Sequence, residues 1–255
     1  MSLKVNGKST CYLKFISAFI CLATAILSPF QSGAQEASTQ LWTDFTQNLK
    51  LKKEYTFDNE ISYRTVLSDV DKWRSLIIQP GMSKALGKRW DMMAYLGLIG
   101  TLEQATYNTY EIRPGLGVMY KIKIKGKFLM GILGRVELRE QYTDKTDSWK
   151  ESFRSRFRLD ETYLINGESY EKNHFWYSWL DQEAFVVLDE GLKERYSNEL
   201  MLRAGLGYKI NRWRYEVIYA YQLSKNTIDK EFALDNVGII RLRLRYYFNE
   251  KVLIK

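Results

Sequence analysis

The sequence has few of the residues that metal sites and disulfides need. Its 255 residues include only two cysteines, three prolines and one histidine. Both cysteines, Cys11 and Cys21, lie before residue 35, and the histidine is His174. After residue 34 the chain therefore has neither a disulfide nor the His and Cys cluster of a zinc site. We expect no metal and no cofactor.

Long apolar runs are also missing, with one exception at the N-terminus. Three lysines and no acidic residue accompany an apolar stretch at 15–30, and Ser32 and Ala34 then form a small-x-small cleavage motif. This is the layout of a secretory signal peptide. The alternative, a membrane anchor, needs roughly 20 apolar residues, and Pro29 interrupts the stretch. We predict that residues 1–34 are a signal peptide and that 35–255 form a single domain.

The excess of positive charge does not indicate a nucleic-acid partner. Removing the three lysines of the signal peptide lowers the formal net charge from +8 to +5. The remaining cations alternate with apolar residues inside predicted strands and do not form an exposed patch. We therefore expect no nucleic-acid binding.

Helical periodicity is missing too, and alternation of polar and apolar residues with period two dominates. The stretch "FRSRFRLDE" at 153–161 places arginine at 154, 156 and 158, with apolar side chains between them. The stretch at 237–248 repeats this arrangement with three arginines at alternate positions. The segments of ten or more residues that we interpret as strands are 41–51, 54–65, 73–83, 90–101, 107–122, 128–142, 149–163, 174–188, 197–210, 213–223 and 237–248.

The length of these segments and the spacing between them favour a membrane-spanning barrel. An ordinary strand has about five or six residues, whereas a tilted strand needs about 9–11 residues to cross a bilayer. The connections alternate between short basic ones (52–53, 86–89, 125–127 and 210–212) and longer polar ones (68–72, 142–148 and 224–231). Short turns at one end and longer loops at the other are typical of outer-membrane barrels.

Eleven segments conflict with the even strand number of bacterial outer-membrane barrels. The weakest stretch, 160–195, contains an Asn-Gly pair at 166–167 that suits a tight turn between two strands. We therefore predict an all-β, antiparallel transmembrane β-barrel of about 12 strands, with 10 as the fallback. Twelve strands give a backbone diameter of about 24 Å, which long charged side chains would fill to leave a narrow or closed lumen.

The two faces of such a barrel have different surroundings, because the apolar face meets lipid and the polar face meets the lumen. We predict a charge network in the lumen made by Glu60, Arg64, Arg113, Arg135, Glu137, Arg139, Arg154, Arg156, Arg158, Glu199, Arg203, Glu216, Arg241, Arg243 and Arg245. Tryptophans at strand starts predict an aromatic girdle at the membrane interface, made by Trp42, Trp73, Trp90, Trp149 and Trp213.

Three parts of the chain carry a resemblance to a known family. They are "QLWTDFTQNLKLKKEYTFDNEISYR", the strands "GRVELRE" and "FRSRFRLDE", and "NELMLRAGLGYKINRWRYEVIYAYQ". With these motifs, nearly all of 40–249 resembles a family of outer-membrane β-barrels of unknown function, family 2490 of the domain-of-unknown-function series. The resemblance implies a Gram-negative outer membrane and no assigned activity. Barrel proteins often finish on an aromatic residue, as Phe248 would, but here "NEKVLIK" continues the chain beyond it.

We expect an outer-membrane barrel with a structural, binding or narrow transport role and no catalytic activity. Its surroundings would be outer-membrane lipid, and the barrel-assembly machinery would be its partner during biogenesis. One alternative is a membrane-embedded lipid hydrolase, which needs a base beside its nucleophile, but His174 and Ser178 lie about 13 Å apart along a strand. The other is a secreted soluble β-barrel that binds a small ligand and keeps its charged face in water.

Overall fold

The structure, a computed structural model, describes residues 38–51, 54–67, 73–103, 107–123, 127–166, 173–189, 192, 197–225 and 234–248. The predicted signal peptide at 1–34 lies outside these residues. The strands are β1 Ser38–Lys50, β2 Tyr55–Val66, β3 Trp73–Leu86, β4 Trp90–Glu103, β5 Thr109–Lys123, β6 Phe128–Thr143, β7 Ser148–Leu164, β8 His174–Val187, β9 Ser197–Ile210, β10 Trp213–Lys225 and β11 Leu234–Tyr247. Each alternating segment of the sequence corresponds to one of these strands. No helix in the described ranges is long and apolar enough to cross a membrane.

The strands form a closed ring in which each pairs with its neighbours in the sequence and β1 pairs with β11. All pairs are antiparallel except β1 and β11, which are parallel. With an odd number of strands that alternate in direction, the first and the last run the same way, so only a parallel pair can close the ring. The barrel is therefore all-β, as predicted, but it is mixed and has eleven strands.

The prediction of 12 strands, with 10 as the fallback, was wrong because it rested on the even-number rule. The region suspected of hiding a strand contains the end of β7 and all of β8, which are hydrogen-bonded directly to each other. Since every strand in the ring already has two partners, no place remains for a twelfth.

The connections define two different ends of the barrel. The short-turn end carries the connections 51–54, 87–89, 124–127 and 211–212, together with one longer connection at 165–173. The long-loop end carries 67–72, 104–108, 144–147, 188–196 and 226–233. The odd strand number also separates the termini of the ring, because β1 begins at the long-loop end and β11 finishes at the short-turn end.

The registers of the paired strands set the dimensions of the barrel. A path that follows register partners from strand to strand once around the ring returns to β1 about 14 residues from the residue at which it began. Because side chains alternate between the two faces of a strand, an even displacement brings lumen-facing residues of β1 beside lumen-facing residues of β11. Each face of the sheet therefore stays on the same side of the barrel around the whole ring. For eleven strands it gives a tilt of about 40° and a backbone diameter of about 22 Å.

The exterior of the barrel is apolar. Strands β2 to β11 all place large apolar side chains on it, and the most exposed include Leu116 (61%), Val217 (61%) and Phe157 (58%). Soluble monomers rarely expose contiguous apolar patches above a few hundred Å². An apolar exterior that continues over ten neighbouring strands is the reverse of the arrangement in a soluble barrel, where the apolar side chains face inward.

Aromatic clusters lie on the exterior at both ends of this band. The ring centroids of Trp90 and Tyr120 are 4.6 Å apart at the short-turn end, and those of Tyr142 and Trp149 are 5.5 Å apart at the long-loop end. Trp213 also lies at the short-turn end, 4.5 Å from Tyr246. The aromatic clusters at the two ends form two bands. Along β5 these bands are ten residues apart, which corresponds to about 25 Å along the barrel axis.

Two of the five tryptophans predicted to form the girdle lie inside the barrel. Trp42 is 4% exposed and Trp73 is 9% exposed, and both face the lumen. Position at a strand start does not decide which face a residue occupies. Trp42 shares its face with Gln40 and Asp44, so alternation points it inward with them.

The parallel closure of the ring can be tested by cross-linking. Thr43 and Leu242 are register partners across β1 and β11 and both are exposed on the exterior. Because the chain has no cysteine after residue 34, we expect Thr43→Cys with Leu242→Cys to form a disulfide in the folded barrel. Mobility on a non-reducing gel measures it. Thr43→Cys with Tyr246→Cys, about 13 Å out of register, should not cross-link; the reverse pattern would refute the parallel register.

Candidate functional site

The lumen wall collects the charged residues that the alternation predicted for it. Apart from Glu199, the predicted members either line one central cavity or, like Glu137, are buried in ion pairs with arginines that line it. Glu199 lies at an irregularity of β9, where the register with β10 shifts between Leu223 and Ser224. It is half-buried and does not line the cavity.

Glu137 on β6 is the centre of one part of the network. Arg154 donates to its Oε2 atom from Nη2 at 2.6 Å, and Arg156 donates to Oε1 from Nη1 at 2.8 Å. The hydroxyl of Tyr95 donates to the same Oε1 atom at 2.5 Å. Only 1% of Glu137 is exposed. The two arginines and the tyrosine therefore replace the water that this carboxylate gives up on burial.

The network continues around the wall from β7 to β9. Arg156 reaches Glu183 on β8 at 2.8 Å, and Glu183 accepts a second bond from Arg203 on β9 at 2.8 Å. Arg203 also donates to Asp181 at 2.6 Å. Because each of the carboxylates Glu137 and Glu183 contacts two arginines, removing one member leaves several buried charges without their partners.

Two further groups of ion pairs join β5 to β6, and β11 to β1 and β2. Glu111 on β5 accepts a two-point interaction from Arg139 at 2.8 and 2.9 Å and a bond from Arg113 at 2.7 Å. Across the parallel closure, Arg241 on β11 bonds to Asp44 on β1 and reaches Glu60 on β2 at 3.3 Å. The β1 and β11 pair is therefore joined by an ion pair as well as by backbone hydrogen bonds.

A tyrosine, a glycine and a glutamate on three successive strands form a clamp that occurs twice. On β4, β5 and β6, the ring of Tyr95 covers Gly115 and its hydroxyl bonds to Glu137. A Cβ atom at Gly115 would lie 2.3 Å from Cζ of Tyr95, so the ring needs glycine beneath it.

The second copy lies four strands further on, in β8, β9 and β10. The ring of Tyr177 covers Gly207, where a Cβ atom would lie 2.2 Å from Cζ, and its hydroxyl bonds to Glu216 at 2.5 Å. Glu216 then contacts Arg243 and Arg245 on β11, as Glu137 contacts two arginines on β7. Gly115 is the first glycine of the stretch "RPGLG" in β5, and Gly207 is the second glycine of the similar stretch "RAGLG" in β9.

Sequence reasoning missed the tyrosines and most of the carboxylates in the lumen, among them Tyr95, Tyr177, Asp44, Glu111, Asp181 and Glu183. Glu111 had a signal, because it alternates with apolar neighbours on β5. The corresponding signal in strand β8 is weak. Phe175, Tyr177 and Trp179 share the lumen face with Asp181 and Glu183, and these apolar residues hide the alternation of polar and apolar positions. Those apolar side chains pack with Leu164 inside the barrel near the short-turn end.

The space left between these side chains is a cavity of about 660 Å³. It extends along the barrel from Trp73 and Glu103 at the long-loop end to Leu129 and Phe175 at the short-turn end. Within the described ranges, no group of three or more His, Cys, Asp or Glu side chains is arranged to hold a metal ion.

The family comparison covers β1 to β10 of this barrel. The sequence model of DUF2490, a protein family of unknown function, matches residues 39–233. The chain belongs to DUF2490. This confirms the resemblance read from the sequence, although the match in DUF2490 ends before β11, short of the range 40–249 expected. A search of curated proteins returned no match.

Removing charge from Glu137 should destabilise the barrel. Glu137→Gln keeps the side-chain shape but leaves Arg154 and Arg156 facing a neutral group, and breaking a buried pair in this way costs about 3–5 kcal/mol. The free energy of unfolding in urea measures the loss. Glu151→Gln on the exposed exterior of β7 is the matched control. Equal stability of the two variants would contradict a structural role for the network.

The clamp predicts that replacing glycine by alanine at two different positions has different effects on the stability of the barrel. Gly207→Ala forces the ring of Tyr177 aside, which should cost about 1–3 kcal/mol. Gly100→Ala places its Cβ atom no closer than 3.8 Å to any neighbour and should be close to neutral. The two variants are compared by measuring the heat stability of each folded barrel.

In a Tyr177→Ala background the clash is absent, so adding Gly207→Ala should then cost nothing further. An unchanged cost in that background would place the effect in the backbone of β9 and outside the clamp.

Proposed function

We propose that this protein is an integral barrel of the Gram-negative outer membrane whose lumen is lined by a structural charge network. The observation that carries the proposal is the distribution of side chains, apolar outside on ten strands and ionic inside. Lipid surroundings favour this inversion, since a cation on the lipid face costs about 2–4 kcal/mol at the midplane. The aromatic bands, about 25 Å apart, match the height of an outer-membrane apolar band.

The route to the membrane follows from the same features. The signal-peptide pattern of residues 1–34 supports export from the cytoplasm. A closed ring of strands then supports insertion by the barrel-assembly machinery, and outer-membrane lipid surrounds the exterior. The longer loops would lie on the extracellular side and the short turns on the periplasmic side.

The ionic lumen supports a role other than that of an open porin. Porins of 16–18 strands leave an aqueous channel, whereas an eleven-strand ring is only a little wider than those whose side chains fill the interior. The arginines and glutamates of opposite walls narrow this ring to a cavity of about 660 Å³. The proposed role is accordingly structural or binding, with no catalytic activity and no cofactor.

The placement of His174 favours this proposal over a lipid hydrolase. His174 is exposed at the first position of β8, and Ser178 lies on the same strand four residues later. Nothing in the described ranges hydrogen-bonds to the histidine. General-base activation of a serine requires such contact or a bridging water.

A charge placed on the apolar exterior tests the membrane proposal. Leu116 lies in the middle of β5, so Leu116→Arg should lower the free energy of unfolding in phosphatidylcholine vesicles by about 2–4 kcal/mol. Leu102→Arg makes the same change near the long-loop rim, where the expected cost is about 0–1 kcal/mol. If Leu116→Arg is neutral or stabilising, the exterior faces water and the soluble ligand-binding barrel becomes the better description.

A further inference from the structure

Three arginines of the cavity wall are without a carboxylate partner among the described residues: Arg64, Arg135 and Arg214. The Nε atoms of Arg135 and Arg214 are buried and lack a hydrogen-bond acceptor. Arg64 has only a long bond from Nε to Ser62 Oγ, 3.4 Å, and lies over the ring of Trp42 at 3.7 Å.

Positive charges outnumber negative charges on the described part of the cavity wall. Among the described residues, twelve arginines and eight carboxylates line the cavity. Two more buried carboxylates, Asp44 and Glu137, bond to lining arginines. The wall keeps an excess of about two positive charges, and an enclosed excess of one sign concentrates ions of the other sign.

Arg64 lies in a row of side chains suited to an anionic group. Trp42, Arg64, Ser75 and Thr101 are register partners on the adjacent strands β1 to β4, and all four face the cavity. Oγ1 of Thr101 donates to Oγ of Ser75 at 3.1 Å. In this arrangement the hydroxyl hydrogen of Ser75, the register partner of Arg64, is not used in the bond to Thr101. A guanidinium next to a hydroxyl donor is a common recognition pattern for carboxylate and phosphate.

Apolar side chains lie on both sides of this row. Trp73 lies toward the long-loop end, and Ile77 lies deeper in the barrel, opposite Ile99 on the next strand. A ligand that places its anionic group on Arg64 would therefore rest an apolar body on these side chains or on Trp42. The volume of the cavity, about 660 Å³, is within the range of small-molecule sites.

We propose that Arg64, Ser75, Thr101 and Trp42 form a binding site for a small organic anion, a carboxylate or a phosphate monoester with an apolar body. The site goes beyond the proposed membrane function and is independent of it, because the lumen wall is the same whether lipid or water surrounds the barrel. Failure of one proposal is thus distinguishable from failure of the other.

The test is calorimetric titration of the full barrel in detergent micelles with three probes of similar size. Phenyl phosphate and benzoate carry the two candidate anionic groups, and benzyl alcohol is the neutral control. We expect at least one anion to bind with a stoichiometry near one and to lose affinity as salt rises, and benzyl alcohol not to bind. Absence of binding by both anions, or equal binding of benzyl alcohol, would overturn the proposal.

The variant Arg64→Met identifies the site. Because Arg64 has no ion-pair partner, its removal leaves no carboxylate orphaned, and affinity should fall at least about tenfold, the loss of one charge-assisted contact. Arg74→Met, an exposed position on the neighbouring strand β3, should leave affinity unchanged. Undiminished binding by folded Arg64→Met would place the anion elsewhere and refute the assignment.

Thr101→Val provides a second variant that keeps the shape of the side chain and every charge. It removes the donor that orients Ser75, so we expect a several-fold loss of affinity for the anion with no change in heat stability. This variant decides the question if Arg64→Met does not fold. Full affinity in Thr101→Val would contradict the role of the hydroxyl pair.

Discussion

The structure depends on one constraint: most of the charges placed inside a ring of eleven strands must find partners there. The backbone ring is about 22 Å wide, so arginine side chains from the wall occupy much of the lumen. A buried ion costs several kcal/mol unless its partners are close and correctly oriented. Shared partners offset this cost in the lumen wall. Each of four carboxylates contacts two arginines: Glu137, Glu183, Glu111 and Glu216. The ion pairs thus reinforce the backbone ladder between neighbouring strands, and Arg241 on β11 also reaches Glu60 on β2, two strands away.

The two tyrosine clamps show how local sequence supports this network. A flat ring fits against the sheet only where glycine removes the opposing Cβ atom, and the hydroxyl then reaches a glutamate one strand further on. The recurrence after four strands, with paired arginines following each glutamate, relates β4–β7 to β8–β11. The residue spacing of the two copies differs because the clamps lie at different positions along their strands and the connecting loops differ in length. A search for a fixed sequence period therefore passes over the similarity that the geometry makes plain.

Much of the fold was predictable because strand alternation is a local property. It gave the eleven strands and put the arginines at 154, 156 and 158 on the lumen wall. The strand number was mispredicted because ring closure is a global property, and the parallel pair of β1 and β11 leaves no local mark in either strand. Trp42 and Trp73 were placed outside because their position in the strand was given more weight than their face. Tyr95 was missed because its role depends on a glycine and a glutamate on two other strands.

The measurement that tests the account most directly is the electrophoretic mobility of the protein extracted from the membrane fraction, with and without boiling. A closed barrel held together by buried ion pairs resists cold SDS, so the account predicts a compact, fast-migrating band that shifts on heating. Recovery of the protein only in the soluble periplasmic fraction, with the same mobility before and after boiling, would contradict it. The arginine wall would then belong to a soluble protein, and the apolar exterior would need another explanation.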